Sequence, residues 1–86
     1  MKYRKKPVVV DAIQWTGDNF NEVVYNFSGI ISGLREDNKL DIQTLEGCMT
    51  ANIGDYIVKG ESSKQGIHFW PVKEDYFNEH YEKVEE

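Results

Sequence analysis

The sequence has a single cysteine, Cys48, and only two histidines, His68 and His80. One thiol builds no disulfide framework within the chain, and no Cys/His spacing suits a zinc site. A lone thiol fits a reducing, cytoplasmic setting. Basic residues are also short: ten Lys and Arg stand against fifteen Asp and Glu, a net charge of −5. That balance argues against general nucleic-acid binding, which needs a cationic face. No run approaches the ~20 apolar residues of a membrane span. The opening "MKYRKKPVVVDAIQW" begins as a secretory signal does, but Asp11 and Gln14 break its apolar run after a few residues. Glycine loops of the dinucleotide or P-loop kind are missing, because "TGDN" and "IGD" are too short. These shortages lead to the expectation of no cofactor, no metal, no nucleic acid and no membrane.

What the chain does have is large apolar side chains: two Trp, four Phe and five Tyr, with Val and Ile in clusters. At 86 residues it reads as one domain, residues 1–86. A domain of this size buries only roughly 60–65% of its unfolded surface, so those side chains must be used well. The charge is unevenly spread. Lys2, Arg4, Lys5 and Lys6 open the chain, whereas Glu74, Asp75, Glu79, Glu82, Glu85 and Glu86 face one Lys83 at its end. The basic run reads as a solvated terminus, or as a neighbour of the acidic end.

Val8 to Trp15 reads as a strand, and its apolar residues on both alternating faces suit a central position. Asp18 is placed to cap a helix running to Phe27, with Phe20, Val23, Val24 and Phe27 on one stripe. Ser28-Gly29 ends it. Ile30-Ile31 is at most a short strand and is left out of the order, and 33–38 reads as a loop. Leu40 to Thr44 alternates as a half-buried strand; Leu45-Glu46-Gly47 is a hairpin turn into Cys48–Ala51. In "IGDYIVKG", Asn52 to Asp55 has the layout of a type II turn, with Gly54 where φ must be positive. Tyr56 to Lys59 follows as a strand ended by Gly60, and Glu61 to Gly66 is a loop. Ile67 to Trp70 is another strand, with Pro71 ending its pairing or marking an edge. Glu74 to about Asn78 is a short helix, and Tyr81 to Val84 is either its last turn or a closing strand beside the first, the strand being favoured. The predicted class is α+β: one mainly antiparallel, strongly curved sheet in the order β-α-β-β-β-β-α-β, one packed helix and a short C-terminal helical turn.

Three segments together carry a resemblance: "KYRKKPVVVDAIQWTGDN" (2–19), "LEGCMTANIGDYIVKG" (45–60) and "FWPVKEDYFNEHYEKV" (69–84). They are similar to a group of small uncharacterised proteins from phages and prophages of Gram-positive bacteria. Such proteins read K-P-V-x-V-x-A-x-Q followed by Trp or Tyr near the start. Later they carry a G-D segment followed by Tyr or Trp, Ile, then Ile or Val, and x-G, and an ending that opens on Tyr or Trp and continues like P-x-K-x-D-x-F-x-x-x-Y-E. The matched segments make up somewhat under two thirds of the chain, and 20–44 is the part expected to vary. The resemblance implies a phage or prophage setting and transfers no catalytic residue. The loop after Gly60, "ESSKQGI", is longer than usual. Glu74 stands where proline is common, and Val72 where cysteine is common, which sets aside a thiol role at that position.

Candidates for chemistry are few. A Cys48–His68 dyad is weighed against a small sheet residue beside a partly exposed ring, and the second reading is favoured. Asp41 with Glu46, and Glu74 with Asp75, read as surface and cap carboxylates, since no apolar pocket is signalled around them. Gly17 to Asn19 opens a helix, but Asp18 would repel an anion there. What is left is a surface constellation of Trp70, His68, Lys73, Tyr56 and Lys59, read as one rim of aromatics and cations. Trp70 and Tyr56 are also readable as core residues of a small domain, and that reading is narrowly preferred. The sequence leads to a non-enzymatic phage or prophage accessory protein that binds a host or phage protein or self-assembles. The alternative is a protein that holds a small anionic, nucleotide-like ligand.

Overall fold

A computed structural model describes residues 2–5, 8–27, 29–64 and 66–83. Lys6, Pro7, Ser28, Val84, Glu85 and Glu86, which entered the sequence reading, lie outside the described residues. The described strands are β1 (Lys2–Lys5), β2 (Val8–Gln14), β3 (Ile31–Leu34), β4 (Leu40–Thr44), β5 (Gly47–Ala51), β6 (Tyr56–Ser62), β7 (Gly66–Val72) and β8 (Glu82–Lys83). The helices are α1 (Phe20–Asn26) and α2 (Glu74–His80).

The α+β class with one strongly curved sheet is overturned. The protein is mostly sheet, divided into a five-stranded sheet in the order β7-β6-β2-β1-β8 and a three-stranded sheet in the order β3-β4-β5. All described pairings are antiparallel, and neither sheet is strongly curled or closed. The reason lies in β2 and β6, which are apolar on both faces. A single curved sheet would cover only one of those faces; two separate layers cover both.

One face of β2–β6–β7 carries Val10, Ala12, Val58 and Val72, and Phe77 of α2 closes over them, with Tyr56, Trp70 and Tyr81 packed at the margin. The opposite face carries Ile13 and Ile57. Trp15 and Ile57 are fully buried there with Val23 and Phe27 of α1's side and Leu40, Ile42 and Ala51 of the three-stranded sheet. Burying such side chains is worth roughly 1.5–3 kcal/mol each. The central placement of the Val8 strand is borne out by its position between β1 and β6.

Several elements differ from the sequence reading. The basic run forms β1, whose backbone pairs with β2 from Lys2↔Asp11 to Lys5↔Val8. The chain end therefore pairs with β1, through Tyr3↔Lys83 and Arg4↔Glu82, and not with the Val8 strand. The Ile30-Ile31 region, left out of the order, contributes β3, which bulges between Ile31 and Gly33. Helix α1 has Asn19 and not Asp18 at its N-cap position. Asp18 instead accepts a hydrogen bond from the Thr16 hydroxyl at 2.6 Å, and Val24 turns outward from the expected stripe. Gly60 does not end its strand: β6 continues to Ser62, and the loop expected over 61–66 is shortened at both ends by the pairs Glu61↔Ile67 and Ser62↔Gly66; Gln65 lies outside the described residues.

The "IGDYIVKG" segment is a scaffold. Gly54 has φ +99°, as the turn requires. The buried Asp55 carboxylate accepts the Asn52 backbone N–H at 2.9 Å. The turn is latched to the end of β2 by two bonds, Gly54 N–H to Trp15 C=O at 2.7 Å and Trp15 N–H to Asp55 C=O at 2.8 Å.

Candidate functional site

The expected rim of Trp70, His68, Lys73, Tyr56 and Lys59 is only partly assembled. The register pairs Val58 with Trp70, Gly60 with His68 and Tyr56 with Val72. Directly opposed residues share a face, so Tyr56, His68 and Trp70 lie on one side of the sheet. Lys59, opposed to Asp11 and Phe69, lies on the other. There it lines a polar cleft of about 240 Å³ with Asp11, Glu22 and Asn26. Lys73 is exposed at the N-cap position of α2.

Tyr56 is a packing residue. Its ring stacks on Phe77 with centroids 3.8 Å apart, and Phe77 stacks on Tyr81 at 4.6 Å. Trp70 is half-buried, lying over Gly60 and stacked against His68 with centroids 5.1 Å apart. It thus joins the core at one edge and still offers surface at the other, between the two readings that the sequence left open.

His68 and Trp70 meet a feature that sequence reasoning missed. The β4–β5 hairpin stands beside the edge of β7 and leaves an apolar groove of about 380 Å³. One wall is His68, Phe69, Trp70 and Pro71; the other is Thr44, Leu45, Glu46 and Met49. Leu45 is 53% exposed at the hairpin tip, and Ile67, at the start of β7, is 55% exposed. The available signal was an apolar Leu45 in a turn where polar residues are the rule. Among the described strands, β7 is the last of its sheet and pairs with β6 alone. Pro71 is tolerated within it for that reason, since an edge strand needs no donor on its open side.

Other candidates from the sequence resolve into structure. Cys48 is exposed on the three-stranded sheet, with its Sγ 3.3 Å from Ser32 Oγ. His68 lies on the other sheet, its Nδ1 3.1 Å from the Gly66 carbonyl oxygen. Cys48 is opposed to Gln43, on the face of its sheet turned away from the groove-lining Met49, and its thiol meets Ser32, so it is not directed at His68. Asp41 does not pair with Glu46. It accepts bonds from Arg35 Nε at 3.0 Å and Thr50 Oγ1 at 2.9 Å. The Arg35 bond first, and then the Thr50 bond, hold the Asp41 carboxyl below its ordinary range, and the same pair raises Arg35. Glu74 accepts from Gln14 Nε2 at 2.8 Å, tying α2 to β2. Among the described residues, no three His, Cys, Asp or Glu side chains gather to hold a metal ion. No helix among them is long and apolar enough to cross a membrane.

Comparison with protein-family models, with curated proteins and with solved structures finds no match to this chain.

Proposed function

We propose that this is a non-enzymatic accessory protein of phage or prophage type that acts in the bacterial cytoplasm by binding a host or phage protein through the groove beside β7. The observation that carries the reading is the groove itself: an apolar cleft of about 380 Å³ whose walls come from two different sheets. Exposed Leu45 and Met49 line it, and exposed Ile67 immediately precedes its β7 wall in the chain; exposed apolar surface gathered in this way marks interaction sites. Half-buried aromatics such as Trp70 are the side chains that anchor protein interfaces. The non-enzymatic reading is supported by the placement of Cys48 and His68 on separate sheets, with the thiol against Ser32. The rival reading, capture of a small anion by aromatics and lysines, has less support. Lys59 faces the opposite side of the sheet from Tyr56, His68 and Trp70, beside two carboxylates.

Photo-cross-linking tests this. A benzophenone side chain placed at Leu45 or Ile67 is expected to give a discrete protein adduct in cells of a suitable bacterial host. The same group at Gln43, on the outer face of the three-stranded sheet, should give none. Adducts that form at Gln43 but not at Leu45 or Ile67 would move the binding surface elsewhere, and adducts of the protein with itself would make self-assembly its role.

A further inference from the structure

We infer that the groove takes an extended, cation-bearing peptide segment of the partner, which adds to β7 as a further strand. This rests on the reading of the groove as the binding surface and specifies what fills it. Three observations converge. First, β7 is terminal in its sheet and spans Gly66–Val72, whereas β8, at the opposite end, has two residues among those described. An edge strand presents a row of backbone N–H and C=O groups, and the chemical complement of that row is another extended backbone. Pro71 has no N–H to give, so the usable edge is Gly66 to Trp70, roughly 17 Å at the ordinary strand rise.

Second, the β7 wall of the groove is the unbroken run His68, Phe69, Trp70 and Pro71, which takes in residues of both faces of the strand and so follows its edge. An added strand would send alternate side chains toward Leu45, Met49 and Phe69, so its apolar residues should recur at every second position. Third, among the described residues lining the groove Glu46 is the one carboxylate, and none of them is Lys or Arg. The chain as a whole carries −5. A cation on the incoming segment meets Glu46 and the overall field favourably. A second copy of this chain fits less well. Its own β7, Gly66–Val72, contains no Lys or Arg to answer Glu46, and two acidic chains repel.

The probe is a synthetic peptide alternating Val and Thr between terminal Lys residues, with two controls: the same peptide ending in Glu, and the Lys peptide with a central proline. Binding is followed by fluorescence anisotropy and by amide hydrogen exchange of the full-length protein. The Lys peptide should bind and slow exchange within Gly66–Trp70. The Glu peptide should bind about tenfold more weakly, since one exposed attraction is exchanged for a repulsion. The proline peptide should not bind. In Glu46→Lys the preference between the Lys and Glu peptides should invert; Glu46 is exposed, so this variant should fold as the wild type does. An unchanged preference in Glu46→Lys overturns the charge assignment. Binding that shifts the Leu45 and Met49 methyl signals without slowing any β7 amide overturns strand addition and leaves the groove reading standing. If no peptide reaches the groove and the Leu45 cross-link also yields no partner, the groove reading itself falls. Concentration-dependent protection of β7 without peptide, matched by a dimer in sedimentation, overturns the heterologous partner.

Discussion

Trp70 lies across Gly60 so closely that a Cβ on the glycine would come within 2.7 Å of Cη2 and 2.8 Å of Cζ3. The two residues belong to adjacent strands, where Gly60 is opposed to His68, and the indole fills the space that a side chain at Gly60 would occupy. This explains why a glycine persists in mid-strand despite its entropic cost. Gly60→Ala must displace the ring, and a cost of about 1–3 kcal/mol is expected from overpacking. In a Trp70→Ala background the obstacle is gone. The same Gly60→Ala change should then be neutral or stabilising, because alanine fits a strand better than glycine. A double-mutant cycle by urea denaturation measures the coupling; additive costs would show that the ring does not hold its place over Gly60.

Gly54 is constrained by its backbone and not by its neighbours. Its φ is +99°, and a Cβ there would find only Glu74 Oε1 at 3.7 Å. Gly54→Ala is therefore expected to cost about 1–2 kcal/mol through left-handed strain alone. Relief of a steric contact should not rescue it: Glu74→Ala combined with Gly54→Ala should be no more stable than Gly54→Ala alone. A thermal melt of Gly54→Ala at the wild-type midpoint would remove the turn assignment.

Asp41 sets part of the acid limb of stability. Arg35 and Thr50 favour its ionised form, so its folded pKa lies below the ordinary carboxylate value of 3.8. A lowered folded pKa contributes stability that is present above 3.8 and lost as pH falls through the folded value. Asp41→Asn should therefore be less stable than the wild type near neutrality, and the two should converge at the acid end of a denaturation series. Because Arg35 and Asp41 are solvent-accessible, raised salt should shrink the gap. A difference that persists unchanged below the folded pKa would point to lost packing and not to charge.

Local chemistry made some of this fold legible and long-range placement hid the rest. The turn at Asn52–Asp55 and the central place of the Val8 strand could be read because each is written in a few adjacent residues. β1 could not, since Lys2 to Lys5 has the composition of a solvated tail and becomes a strand only by pairing with Val8–Asp11. The separation of Lys59 from Tyr56 was in fact readable: residues three apart on a strand face opposite ways. Grouping them in one rim neglected that parity. The groove was not readable, because Leu45 and Met49 reach β7 only through the packing of one sheet beside the other, and no spacing in the sequence records that packing.

The chain end supplies the last prediction, which separates edge protection from core packing. β8 covers part of the outer side of β1 through Tyr3↔Lys83 and Arg4↔Glu82. Just before it, Tyr81 stacks on Phe77, itself buried among Val10, Ala12, Val58 and Val72. A chain cut after Tyr81 loses the strand and keeps the stack; one cut after His80 loses both. The first should melt close to the full-length protein yet self-associate, because an uncovered strand edge is a template for pairing. The second should also lose about 1–3 kcal/mol, since a half-buried aromatic and its stacking partner are separated. Melts and sedimentation velocity on the two truncations read the two effects independently. If both remain monomeric, β8 gives no edge protection; if both melt alike, Tyr81 adds nothing to the α2 layer.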